Sequence, residues 1–149
     1  MTRYELLKFI HILFAVVWVG GGLLALVLAT RAQKASQAHR EGLAHDMEFV
    51  AKRIFAPASI VTLLFGILMV LDTDAFSFGD TWILIGLGGI LFSIVLGIGV
   101  LTPLTGKINA ELQAGRDGVG LLGRLTRIAA LDSVVLLVVV WAMVAKPGL

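Results

Sequence analysis

The stretch Phe9 to Thr30, FIHILFAVVWVGGGLLALVLAT, runs for 22 residues with a single ionisable side chain, His11. About 20 apolar residues in helical form cross a hydrocarbon core roughly 30 Å thick, so the stretch reads as a membrane-spanning helix. Arg3 and Lys8 precede it as they would a signal peptide. A signal core is only about 7–15 residues long, and this segment is therefore expected to remain as helix one.

Three more runs share that character: Ile54 to Leu71, Trp82 to Leu101 and Ile128 to Ala145. With 58% hydrophobic and 15% charged residues and a mean hydropathy of +0.98, the chain is too apolar for a soluble domain of its length. The expectation is an all-α transmembrane four-helix bundle in a lipid bilayer, one domain over 1–149, with helices at about 6–30, 53–71, 82–106 and 126–146.

Cytoplasmic loops carry the excess of Lys and Arg. Loop 31–53 contains Arg31, Lys34, Arg40, Lys52 and Arg53, and loop 103–127 contains Lys107, Arg116, Arg124 and Arg127. The remaining three, Arg3, Lys8 and Lys146, flank the ends, while the middle loop has only Asp72, Asp74 and Asp80. Loops 31–53 and 103–127 are thus expected in the cytoplasm and both termini on the outer side, periplasmic or extracellular. The same distribution explains the basic balance without nucleic acid. There is no cysteine, which excludes disulfides and thiolate chemistry.

Segment 31–53 is rich in helix formers and is expected to extend the first two helices, with His39 and His45 solvated. Pro57 reads as a helix-start residue and Pro103 as a kink or exit after helix three.

Helices in lipid meet through small and polar residues, and three-four spacing groups these into inward stripes. The stripes are His11, Ala15, Trp18, Gly22, Ala25 and Ala29; Phe55, Ser59, Thr62, Gly66 and Met69; Gly86, Gly89, Ser93 and Gly97; and Ala129, Asp132, Leu136, Val139 and Met143. His11, Met69 and Met143 each lie three residues inside a charged boundary residue, about 4–5 Å deep at 1.5 Å per residue, level with Gly86. Imidazole and thioether are the soft or borderline ligands of the membrane part. His with Met suits haem iron and His with two Met suits Cu(I), whereas Met in an apolar core also serves as plain packing.

A second polar layer combines Arg53, Arg127 and Asp132. A carboxylate in lipid is expensive, so Asp132 is expected to form an ion pair with Arg53 or Arg127, the alternative being a proton relay. Ser59, Ser133 and Asp132 lie far from the level of His11, which argues against hydrolytic catalysis.

The stretches LLKFIHILFAVVWVGGGL, AKRIFAPASIVTLLFGILMVLD, the Trp82-led start of helix three and the ending RLTRIAALDSVVLLVVVWAMVAKP together resemble a family of bacterial integral membrane proteins, domain of unknown function 2269. That resemblance implies a bacterial inner (cytoplasmic) membrane location and no stated activity. More distantly, the early His followed by Trp, the basic pair before a Pro, the Trp opening helix three and the Lys-Pro end resemble HemJ-type protoporphyrinogen oxidases and CopD-type copper-resistance proteins.

The HemJ resemblance implies haem b on His11 and on a Lys whose position falls on Gly86. Met69 or Met143 would then replace that Lys, or the site would bind copper in the CopD manner. The remaining reading is a non-catalytic scaffold or partner subunit without cofactor, working as a homo-oligomer or within a larger membrane complex.

Overall fold

A computed structural model describes residues 1–148. Four helices long and apolar enough to cross a membrane make up almost all of it: α1 (Arg3–Ala32), α2 (Gln37–Leu71), α3 (Thr81–Gln113) and α4 (Val119–Ala145). The termini and segment 72–80 share one end of the bundle, called here the terminal end. The connections 33–36 and 114–118 share the opposite, basic end, and nine of the twelve Lys and Arg residues lie in the half of the bundle toward it.

The first two helices begin at side chains that satisfy free amide groups. Thr2 accepts from the Glu5 amide at 3.2 Å while the Glu5 carboxylate accepts from the Thr2 amide at 2.7 Å, a reciprocal cap. Ser36 caps α2 through the His39 amide. Helix α2 starts well before 53 and α3 ends after 106, because the polar flanks 37–53 and 102–113 continue the helices beyond the apolar runs. His39 and His45 are exposed on this extension.

Three helices are not α-helical throughout. π-helical segments occupy Val16–Gly20 in α1, Ala51–Phe55 in α2 and Gly97–Leu101 in α3. Two of them end two residues before a proline, Pro57 and Pro103. Proline has no amide hydrogen and its ring crowds the carbonyl four residues back, so a widened turn just upstream absorbs the misfit without ending the helix. Pro57 is therefore interior to α2 and not the start of a helix, which corrects the sequence expectation. It does open the α-helical stretch that follows the π segment.

Helix partners change along the bundle. In the terminal half, Arg3–Ala15 of α1 packs on Ala56–Leu71 of α2, and Thr81–Leu96 of α3 packs on α4. In the basic half, Gly21–Ala32 of α1 packs on α4, and Gln37–Val50 of α2 packs on Thr102–Gln113 of α3. The π segments lie where the exchange occurs. Two apolar clusters reflect it, one around Trp18, Ala58, Ile90, Leu136 and Val139, the other around Ala29, Ala32, Ile108, Leu112 and Leu122.

Small residues make the close approaches. A Cβ on Gly89 would overlap Val139, and one on Gly21 would lie 2.6 Å from the Phe55 ring. The inward stripes read from spacing match the buried positions Trp18, Ala29, Ser59, Thr62, Gly86, Ser93, Leu136 and Val139.

Candidate functional site

His11, Met69, Gly86 and Met143 line one cavity of about 60 Å³ at the terminal end, together with Tyr4, Thr62, Gly66 and Trp82. The structure thus brings together the layer inferred by counting depth. Each member has a local reason for its position. Gly66 leaves room for the imidazole, since a Cβ there would come within 3.0 Å of His11 Cε1. Gly86 leaves room for the thioether, because a Cβ there would overlap the Met143 methyl. The space vacated at Gly86 is thus filled by Met143.

His11 Nδ1 lies 2.8 Å from the Thr62 carbonyl oxygen. A carbonyl only accepts, so Nδ1 carries the proton and donates, and in the neutral imidazole Nε2 keeps its lone pair. Histidines that bind metals show this arrangement, the second ring nitrogen being anchored to a carbonyl or carboxylate. The partner is a backbone atom and left no trace in the sequence.

The rim of this end is clasped by charges. Arg3 pairs with Asp72 at 3.0 Å, tying the start of α1 to the end of α2. The Lys146 ammonium stands 4.3 Å from the Phe76 ring centre and 5.2 Å from that of Trp82, and the two rings meet edge to face at 5.1 Å. The Trp that opens α3 and the Lys that closes α4 thereby meet around one aromatic cage.

Nearer the basic end lies a larger cavity of about 140 Å³, lined by residues of all four helices. Asp132 is on its wall, at the midpoint of α4, 13 residues from either end of Val119–Ala145. The expected ion pair is not formed: among the described residues the ion pairs are Arg3–Asp72, Lys52–Glu48 and Arg116–Glu111. Arg53 and Arg127 are exposed instead. Both lie at the ends of apolar runs, where their long side chains reach polar surroundings more cheaply than they reach Asp132.

The basic end has polar contacts that spacing alone did not single out. Buried Asn109 of α3 donates to Glu48 Oε2 at 2.5 Å and to the Ala44 carbonyl at 3.4 Å, bridging to α2. Gln33 donates to the Thr126 hydroxyl at 3.1 Å, bridging α1 to α4.

A family described as a predicted integral membrane protein (DUF2269) matches residues 5–147, nearly the entire chain. The chain belongs to this family. For the DUF2269 fold seen here, membership carries an integral membrane location and leaves the chemistry to the residues themselves. No curated relative and no solved structure matches the chain.

Among the described residues no three His, Asp or Glu side chains gather into a metal-holding group. Hard-cation sites built on several carboxylates are therefore not in view, and the soft set of His11, Met69 and Met143 is the candidate. At roughly 10–15 Å³ for each water-sized group, the about 60 Å³ beside His11 admits four to six such groups. A single ion fits.

Proposed function

We propose that this protein holds a single soft metal ion, Cu(I), inside the membrane at the terminal end, in a copper-handling or redox role. His11 Nε2 and the thioethers of Met69 and Met143 would be its ligands. The observation that carries the reading is the His11 Nδ1 bond to the Thr62 carbonyl at 2.8 Å, which commits Nε2 to be the electron-pair donor of a ring bordering a cavity shared with two thioethers. Imidazole and thioether together favour Cu(I) over the hard cations. The CopD-type resemblance points the same way.

From the charge asymmetry we infer that the basic end faces the cytoplasm and the His11 end the outer side of a bacterial inner membrane. A site three residues inside Lys8 would then exchange metal with the outer compartment.

The test is a competition titration of detergent-purified protein with Cu(I) against a chromophoric Cu(I) chelator under reducing conditions. One equivalent should bind per chain, and His11→Ala should weaken it at least tenfold while the helix content stays unchanged. Copper affinity unaltered in His11→Ala would refute the assignment. A Soret band in protein produced with haem supply would overturn the single-ion reading.

A further inference from the structure

The larger cavity, separate from the His11 site, presents a carboxyl group without an ion-pair partner. Its lining residues include Trp18, Phe55, Gly97, Ala129 and Leu136, and Asp132 is the one titratable side chain among them. Asp132 Oδ1 is buried and has no hydrogen-bond partner. Ser93, only 2% exposed and on the same wall, directs its buried Oγ toward the Asp132 carboxyl group and has no other partner.

Three other hydroxyls of the wall are accounted for locally. Ser59 donates to the Ala56 carbonyl at 2.8 Å, Thr105 to the Leu101 carbonyl at 2.9 Å, and Ser133 to the Ala129 carbonyl at 2.8 Å. Such back-bonding is the easy fate of a helical Ser, and Ser93 does not adopt it. A carboxyl group and a hydroxyl that face each other across an apolar wall, with no cationic side chain beside them, mark a place where a ligand can supply further donors.

The backbone points to the same spot. All three π segments border this cavity, through Trp18 and Val19, Ala51 and Phe55, and Gly97, Ile98 and Leu101. Each widens its helix at the level where helix partners exchange, and none borders the His11 cavity. π segments of this kind commonly sit at functional sites.

The chemistry of the occupant follows from the inventory. An ionised carboxylate within the bilayer needs a counter-charge, and the wall contributes no Lys, Arg or His. A metal ion of the hard type would want about six oxygen ligands, and these walls are mostly hydrocarbon. A quaternary ammonium would offer charge but no N–H for Ser93. A protonated primary amine offers both, and an apolar body would fill the remaining space, which admits roughly nine to fourteen water-sized groups.

We propose that the Asp132 cavity binds a small amphiphilic amine, its ammonium donating to Asp132 Oδ1 and Ser93 Oγ and its apolar body resting against the four-helix wall. The cavity is partly open, so such a ligand can enter without unfolding the bundle.

Calorimetric titration of the full chain in detergent with benzylamine tests this, with benzyl alcohol and benzyltrimethylammonium as the neutral and N–H-free counterparts. Benzylamine should bind saturably at one site, at least tenfold tighter than either counterpart. Asp132→Asn should weaken it at least tenfold, and Ser93→Ala several-fold.

Gly97→Leu provides a variant that leaves the carboxylate in place. Gly97 lies on the wall with nothing within 4 Å of an added Cβ, so leucine should fill the cavity and abolish binding in a protein that still elutes as folded. Benzylamine affinity unchanged in Asp132→Asn or in Gly97→Leu, or no saturable binding to the wild type, would overturn the proposal. Equal affinity for benzyltrimethylammonium would also overturn it, since that cation has no hydrogen to give Ser93.

Discussion

Around His11 the helices are regular and the imidazole is anchored, its Nδ1 bonded to a carbonyl of the neighbouring helix. Around Asp132 three helices carry π segments, and a carboxyl group and the Ser93 hydroxyl face each other with no cationic side chain beside them. The first cavity is small and bordered by soft donors, the second more than twice as large and bordered by one carboxyl group. The contrast teaches that one bundle can hold two polar sites by different means. In the terminal half, glycines at 66 and 86 cut a niche for specific side chains. In the basic half, backbone irregularity and a change of helix partners open a space that side chains do not fill.

If the two are separate sites, ligand effects should cross over. His11→Ala should lose copper at least tenfold and leave benzylamine binding within about twofold of wild type. Asp132→Asn should do the reverse. Paired titrations on both variants measure this, and a variant that loses both ligands would show that the two cavities act as one site.

Gly89 lies on α3 between Gly86 of one cavity and Ser93 of the other, against Val139 and Val135 of α4. A Cβ there would overlap the Val139 side chain, which is β-branched and has few rotamers to retreat to. Gly89→Ala should therefore separate α3 from α4 and cost about 1–3 kcal/mol, read by unfolding in a denaturing detergent. Gly86→Ala meets only the flexible end of Met143 and should cost less than about 1 kcal/mol, because a thioether chain can swing aside. That milder variant should still weaken copper binding, as it displaces a proposed ligand. Equal stability costs at 86 and 89 would mean that the two levels of the interface are equally rigid.

The fold was legible because lipid imposes a long apolar run on each helix, and runs such as Phe9–Thr30 leave no other reading. Inward faces were legible from the spacing of small residues, and the convergence of His11, Met69 and Met143 from depth counted at a fixed rise per residue. Depth counting works where helices are regular, as they are at the terminal end. It fails for Asp132, whose expected partners Arg53 and Arg127 are exposed and form no ion pair with it. The sequence signal for that region was Pro57 and Pro103, each of which follows a π segment by two residues. The direction of the Thr62 carbonyl and that of the Ser93 hydroxyl toward Asp132 depend on helix rotation at sub-residue precision, which spacing does not define.

Lys146 and the Phe76–Trp82 pair offer a finer probe of the terminal end. Lys146→Leu removes a cation lying 4.3 Å from one ring centre and 5.2 Å from the other, and should cost about 0.5–1 kcal/mol at this half-buried position. Lys146→Arg should retain most of the stability, since a guanidinium also stacks on aromatic faces. Thermal unfolding of the three proteins side by side gives the comparison.

The smallest effect belongs to Arg3 and Asp72. Their pair spans α1 and α2 close to the His11 cavity, but the Arg3 side chain is 78% exposed, so water and salt screen it. Arg3→Gln should cost well under about 1 kcal/mol at low salt, and nothing measurable at about 1 M, where the screening length falls to roughly 3 Å. Copper affinity should stay within about twofold, because His11 is positioned by the Thr62 carbonyl and by the space over Gly66, both deeper in the bundle than the clasp. A larger, salt-insensitive loss of copper in Arg3→Gln would show that the rim holds the imidazole in place, and the anchoring assigned to Thr62 would then have to be shared with it.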